Sequence, residues 1–450
     1  MIEPLISGPS GHRLSRRSLL KSASLVGAAA LSTPLLGACG ASDGVTSAGS
    51  TNTSAGGKTQ VKIASWMQFE PGRKEAWAAV LDAFNAQSRT AEAVLVGWPF
   101  AQYANQVLTQ VQAGGLDADL ITAPPDLAAR LFSLNQFLPA TQAIDAAGVH
   151  PDEKLHSFVI KEGQFYGVST VTVGFGLLYN EKVLEEAGLQ PPTTPEEWVA
   201  QGQQLTVQPD RFGVLQANNM AEAGNFWFNL QNTVNAYDGL WAQGRTPLVT
   251  SDPVIKSLEL FKTLYDSSMP KGLNDAQSMA LMGDGRAAMG VLVSATVNVL
   301  KSGSPDVYPL MRSVAPPWAG KKATNRVHPI SLYSGSNKQE AATEFLTWLL
   351  KPENMADLTM RSLDAIPPYP ELEQVPAFQA YLKDLPWLPG YQDVTPVTPM
   401  DLMGDFITAS DEFGNIVLTS FQQSLSGGVP VAESMGQAQT QLEALASRLT

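Results

Sequence analysis

The sequence predicts an α/β fold with two domains, and three observations predict it. The chain of 450 residues exceeds what one hydrophobic core ordinarily organises. Its 44% apolar and 16% charged residues are those of a soluble globule and argue against a disordered or membrane-spanning chain. Strand-like alternation and helix-like spacing take turns along it, which is the order of an α/β protein.

The first segment is not part of the globule. Residues 15–21 read SRRSLLK, and an uncharged run over 22–36 follows that is too short to span a bilayer as a helix. This is the layout of an export signal over 1–38. The arginine pair is similar to a twin-arginine motif, and Leu36, Gly37, Ala38 and Cys39 resemble a lipobox, which implies a lipid on the Cys39 thiol. Cys39 is the only cysteine, so no disulfide can form within the chain. Residues 41–59 are almost entirely Gly, Ser, Thr, Ala and Asn and cannot bury enough apolar surface to fold. With Cys39 they make a flexible tether over 39–59, reaching on the order of 25 Å.

Loss of Arg13, Arg16, Arg17 and Lys21 together with Glu3 takes the net charge from −13 to −16. Nucleic acid is thereby disfavoured as a partner.

The elements then follow in order. Val61 and Ile63 alternate with polar residues as a strand, and Trp77, Val80, Leu81 and Phe84 recur at helical spacing after Pro71 and Gly72. A second strand near Val94 precedes a helix through Tyr103, Val107, Leu108 and Val111, and residues 119–122 read as a third strand. Thr194, Pro195 and Glu197 are an N-cap, a first-turn proline and a capping-box glutamate. Asn337 and Glu340 open another helix, with Ala342, Phe345, Leu346 and Leu349 on one face. Val431, Met435, Ala438, Leu442 and Leu445 make the last helix amphipathic.

Catalytic signatures are missing. Beyond the export segment the histidines are His150, His156 and His328, and there is no G-x-S-x-G elbow to pair a nucleophile with a base. His150, Asp152, Glu153 and His156 match no metal-ligand spacing and read as a polar loop. Gly174 and Gly176 lead into a strand rather than a helix, so they do not form a phosphate cradle. No cofactor and no metal is expected.

Four motifs carry a family resemblance. Tyr166, Gly167 and Val168 followed by LLYNEKVLEEAGLQPPTTPEEW over 177–198, GDGRAAMG over 283–290, SGSNKQEAATEFLTWLL over 334–350 and LSGGVPVAESMGQAQTQLEAL over 425–445 resemble, in order, the extracellular solute-binding proteins of family 1. The resemblance implies two discontinuous α/β lobes joined by three crossings, with a hinged cleft that traps ligand between them. Motif placement puts lobe I at 60–168 plus 330–365 and lobe II at 169–329 plus 366–450, with crossings near 167–171, 324–330 and 365–368. It also implies a monomeric, lipid-anchored, extracytoplasmic protein that delivers a small ligand, a carbohydrate first, to the membrane subunits of an ATP-driven importer.

Sugars present flat apolar faces rimmed by hydroxyls, so a site for them needs aromatic platforms edged by polar groups. The resemblance places ligand contacts at Trp66, Gln68 and Glu70 after the first strand, Trp98 after the second, and Thr122 and Asp126 after the third. Thr170 and Thr172 border the first crossing, Arg326 and His328 lie at the second, and Asn218, Asn225, Phe226 and Trp227 come from the second lobe. Phe413 is a further aromatic near the C-terminus. One departure bears on ligand size: where the family pattern after GRAAM carries a stacking tryptophan, this chain has Ala295. Two other classes stay open on the residues alone: a lipoprotein enzyme such as a glycoside hydrolase, working with two carboxylates a fixed distance apart, and a surface adaptor for another protein.

Overall fold

A computed structural model describes residues 57–70 and 72–449; the export segment, Cys39 and most of the tether lie outside the described residues. The first strand forms over Thr59–Ala64, where Val61, Ile63 and Ala64 are buried. It pairs in parallel with Ala91–Val96 on one side and Leu120–Thr122 on the other. The strand Arg326–Tyr333 joins antiparallel and connects Phe137–Leu138 and Val168–Val173 to the same six-stranded sheet. Against it packs the helix Arg73–Gln87, burying Trp77, Val80, Leu81 and Phe84 as their spacing predicts.

The second lobe is built on a four-stranded sheet in the order Met311–Val314, Phe175–Asn180, Ala287–Val293, Phe212–Val214. Both faces are covered, because successive strand residues point to opposite sides. Leu177 and Val291 enter one apolar cluster with Trp198 and Phe261, while Leu178 and Leu292 enter another with Trp387 and Tyr391.

Helix ends follow their capping chemistry with two differences. Thr194 accepts the Glu197 N–H at 3.1 Å, as expected, but the Glu197 carboxylate reaches past Thr194 to the N–H and hydroxyl of Thr193. The helix expected from Asn337 starts later, spanning Gln339–Leu350, and the turn before it is closed by Ser336, whose hydroxyl oxygen accepts the Lys338 N–H. The last helix, Val431–Ala446, buries the expected apolar face.

The first passage between the sheets falls later than the stretch 167–171, whereas the second and third fall within the stretches 324–330 and 365–368. Val168–Val173 is a strand of the first sheet, with Val168, Val171 and Val173 in the first core, so the first change of sheet falls at Gly174. The second falls at Asn325, which puts residues 326–329 in the first sheet rather than in the second lobe. At the third, Ile366 forms a bridge with Thr172. Beyond it Tyr369, Leu372 and Phe378 return to the first core, because their large side chains are buried there, before Leu385 and Trp387 reach the second lobe.

Candidate functional site

In open α/β sheets, ligands gather beyond the carboxyl ends of the parallel strands. Trp66 stands there, two residues past the first strand and 1% exposed. Its ring meets Tyr103 at 5.2 Å, Phe100 at 5.5 Å and His328 at 5.5 Å. The adjoining loop comes close because Gly97 has φ 139° and a Cβ there would lie 2.2 Å from the Ser65 carbonyl oxygen, an approach open only to glycine. Gln68 ties the two loops, its amide bonding Leu95 O and the Gly97 N–H at 3.2 Å in the orientation that satisfies both. The Tyr103 hydroxyl donates to Thr122 O, and the Thr122 hydroxyl donates to Ala64 O. Thr122 is thus a structural lock. Trp98 is half-buried, 6.5 Å from Tyr103.

Two groups of charges flank this aromatic corner. Arg73 lies 3.5 Å from Glu70 and 3.1 Å from Asp364. Burial pushes the Glu70 carboxyl up against the opposing pull of Arg73, and burial likewise raises Asp364. Arg326 donates to Gln231 Oε1 at 3.1 Å, lies 3.4 Å from Asp126, and places its guanidinium 4.6 Å over the Phe228 ring. Burial also raises Asp411, with Asp126 adding to the shift and Arg326 opposing it.

Between the two arginines stands His328. It is 8% exposed, and neither ring nitrogen has a hydrogen-bond partner in the protein. Burial, then the charges of Arg326 and Arg73, hold it neutral, well below the ordinary histidine range. Arg326 Nε and Asp364 Oδ2 are also buried without a partner. Buried polar atoms are normally paired, so this group has unused capacity to donate and to accept. Thr170 adds little, since its hydroxyl donates to His328 O at 3.4 Å, and Thr172 faces the Ser169 hydroxyl.

The second lobe contributes a small cavity lined in part by Asn218, Asn225, Phe226, Asn229, Ser278 and Thr296. Asn218 is spent on the fold: its amide donates to Gln216 O and Pro270 O and accepts the Gly272 N–H. Phe226 lines the cavity while stacking on Phe261. Trp227 instead points into the second core, against Trp241 and Phe413, with its indole donating to Ser410. Trp227 and Phe413 are therefore core residues and corrections to the expected set. Phe228, the next residue, packs on both cores, and Val293 both lines the cavity and touches the first core.

Sequence reasoning missed Phe100, Tyr103, Arg73, Asp364 and Phe228. The run WPFAQY holds a signal for the first two. Arg73 and Asp364 are 291 residues apart, and no local pattern joins them. Among the described residues no cluster of acidic, histidine or cysteine side chains is arranged to hold a metal ion, and no helix is long and apolar enough to cross a membrane.

The model of a family described as bacterial extracellular solute-binding protein matches residues 79–385. The chain belongs to this family. Its two-lobed α/β architecture recurs in solved structures of low identity. The GacH receptor of Streptomyces glaucescens GLA.O is similar at TM-score 0.73 and 15% identity, over 87% of this chain and 99% of that one. UgpB from Mycobacterium tuberculosis gives 0.73 and 16%, over 87% and 99%. MalE from Xanthomonas citri gives 0.72 and 16%, over 87% and 98%. No curated protein sequence matches. In this solute-binding family member the Trp66 and His328 corner belongs to the first lobe and the cavity to the second, with Phe228 packed on both cores.

Proposed function

We propose that the chain is the extracytoplasmic substrate-binding component of an ATP-driven importer, that it captures a neutral carbohydrate or polyol between its lobes, and that it catalyses no reaction. The observation that carries the reading is an aromatic corner whose His328 has two buried ring nitrogens without a partner, flanked by the Arg326 and Arg73 charge groups. A neutral imidazole offers one donor and one acceptor, Arg326 Nε a donor and Asp364 Oδ2 an acceptor. Sugar hydroxyls both donate and accept, and their apolar ring faces suit the exposed Phe100, which Trp66 backs from the core, and the half-buried Trp98.

The relatives frame the choice of ligand. The GacH receptor structure was determined in complex with acarbose, the Xanthomonas citri protein is a sugar-binding protein, and UgpB holds glycerophosphocholine. A phosphodiester needs positive charge. Here Arg73 has Glu70 and Asp364 beside it, and Arg326 has Asp126 and Asp411. Charge balance therefore favours the uncharged sugar.

Export through the twin-arginine motif, a lipid on Cys39, a tether over 39–59, a monomeric state and delivery to membrane permease subunits complete the proposal. The order of arginine pair, apolar run, small residues and sole cysteine supports the export, lipid and tether, and membership of the solute-binding family supports the monomeric state and the delivery. The test is a thermal-shift panel of the exported protein against neutral sugars, polyols and glycerophosphocholine. A ligand that binds only the folded state raises the melting temperature by mass action. A rise with a sugar or polyol is expected; a rise with glycerophosphocholine alone, or with none of them, overturns the reading.

A further inference from the structure

In the second sheet, Phe212–Val214 and Ala287–Val293 run parallel. Leu215 and Ala217 follow the first of these strands, Leu292 and Val293 end the second, and Thr296 comes next; all five line the second-lobe cavity. The cavity thus occupies the crevice beyond the carboxyl ends of the parallel pair, where ligands gather in α/β folds. Val293 also packs on the first core, so the cavity borders the junction of the lobes.

Hydrogen bonds hold the cavity in shape. Asn218 donates to Pro270 O at 2.9 Å and accepts the Gly272 N–H at 2.9 Å, while Asn219 donates to Gly272 O at 3.1 Å. The loop that carries Leu273 into the lining is thereby pinned to the end of the strand Phe212–Val214. The volume is about 50 Å³, room for a few water-sized groups rather than for a sugar ring.

The lining has a polar and an apolar side. Asn229, Ser278 and Thr296 are buried there. Asn229 spends its amide nitrogen on Asn225 O at 2.8 Å and Asn225 Oδ1 at 3.0 Å, which leaves its carboxamide oxygen as an acceptor, and the Ser278 hydroxyl is a donor. Leu273, Met279 and Leu292 are apolar. Among the described residues of the lining the single charge is Glu222, and no lysine, arginine or histidine stands there to balance an anion. A buried polar group costs free energy unless it is paired. The group that satisfies both sides is therefore small and uncharged, with a donor, an acceptor and a methyl. A carboxylate would face Glu222, and an ammonium would lie against the apolar side chains.

We infer that this cavity takes the acetamido group of an N-acetylated amino sugar: its N–H donates to Asn229 Oδ1, its carbonyl oxygen accepts from Ser278, and its methyl packs on Leu273, Met279 and Leu292. The inference rests on the carbohydrate reading above and names the class of sugar.

The experiment is calorimetric titration of the exported protein with glucose, N-acetylglucosamine, glucosamine and glucuronate, as wild type, Ser278→Ala and Ala217→Leu. Wild type is expected to bind N-acetylglucosamine about tenfold or more tighter than glucose, the scale of a well-packed, hydrogen-bonded contact. Ser278→Ala, which removes one hydroxyl and keeps the fold, should shrink that ratio several-fold, and Ala217→Leu, which fills the space, should bring it close to one. Wild type binding glucose or glucuronate as tightly as N-acetylglucosamine, glucosamine binding tightest, or a ratio unchanged in both variants overturns the acetamido assignment while leaving the carbohydrate reading standing. So does a failure of all four sugars where another sugar or a polyol raises the melting temperature. Absence of any response to every sugar and polyol overturns both.

Discussion

Arg326 lies 3.4 Å from Asp126 of the first lobe while donating at 3.1 Å to Gln231 of the second, so one buried guanidinium on the crossing strand ties the two lobes together. The tie is direct and needs no ligand. Ile407, from the chain's second-lobe return, adds to it by packing in the first core.

Asp126→Asn removes the charge from the first-lobe side of this tie while conserving shape. The ligand-free variant is expected to open more often, giving a larger radius of gyration by small-angle scattering than wild type, and ligand is expected to bring it back to the wild-type value. An unchanged radius would show that the lobes are held by apolar contacts alone.

Gly174 marks the point where the three crossings meet. A Cβ there would lie 2.8 Å from Asn325 Oδ1 and 2.9 Å from Ile366 Cδ1, which is closer than side chains pack. Gly174→Ala is expected to cost about 1–3 kcal/mol by overpacking. The double variant with Ile366→Val, which deletes that Cδ1, should recover part of the loss in a urea unfolding curve. Equal stability of all three proteins would count against a crowded junction.

Three aromatics separate stability from binding. Trp227, 4% exposed in the second core, should cost about 3–5 kcal/mol of unfolding free energy as Trp227→Ala, and Trp77→Ala should behave alike. Phe100, 57% exposed against Trp66, should leave the melting temperature nearly unchanged as Phe100→Ala. Its loss should weaken ligand binding by about 2 kcal/mol, or roughly thirtyfold. The reverse pattern would move the ligand platform away from this corner.

His156 gives the protein an acid limit. It is fully buried, donates from Nδ1 to Asp152 O at 2.7 Å and accepts the Ser169 N–H on Nε2 at 3.0 Å, and burial pulls its pKa down to about 4. The unfolded chain protonates near 6.5 and the folded one near 4, so this stability is full above pH 6.5 and lost as pH falls toward 4. The loss is on the order of 3 kcal/mol. His328 is shifted in the same direction, whereas the raised Glu70, Asp364 and Asp411 oppose the loss at the acid end. Urea midpoints measured from pH 7 to 4.5 should fall for wild type and fall less steeply for His156→Gln. Parallel slopes would remove His156 as the cause.

The parts of the fold legible in the sequence are those set by local periodicity and capping. Val61 and Ile63, the Trp77 to Phe84 face, the Thr194 cap and the terminal helix needed no tertiary information. The lobe boundaries needed it. Residues 168–173 read VSTVTV and are all buried, so nothing in their pattern says which of two sheets takes them. Of the candidates, Trp66, Trp98 and Asp126 are legible as strand ends and His328 by its place at the second crossing, and Trp66 and His328 stand in ring contact in the fold. The site was not legible where phase decides: Phe226, Trp227 and Phe228 are consecutive on one helix, turned about 100° from one another; Phe226 and Trp227 enter the second core, Phe226 also lining the cavity, and Phe228 packs on both cores. The Arg73 and Asp364 pair depends on chain return from a distant segment, which local spacing does not encode.

The central claim is capture without chemistry. Calorimetric titration of the exported protein with the sugar or polyol that gives the largest thermal shift, followed by recovery and mass analysis of that ligand, tests it most directly. The account predicts saturable binding of one molecule per chain and a ligand recovered unchanged. Recovery of a hydrolysed or otherwise altered sugar, or the absence of saturation, would contradict it.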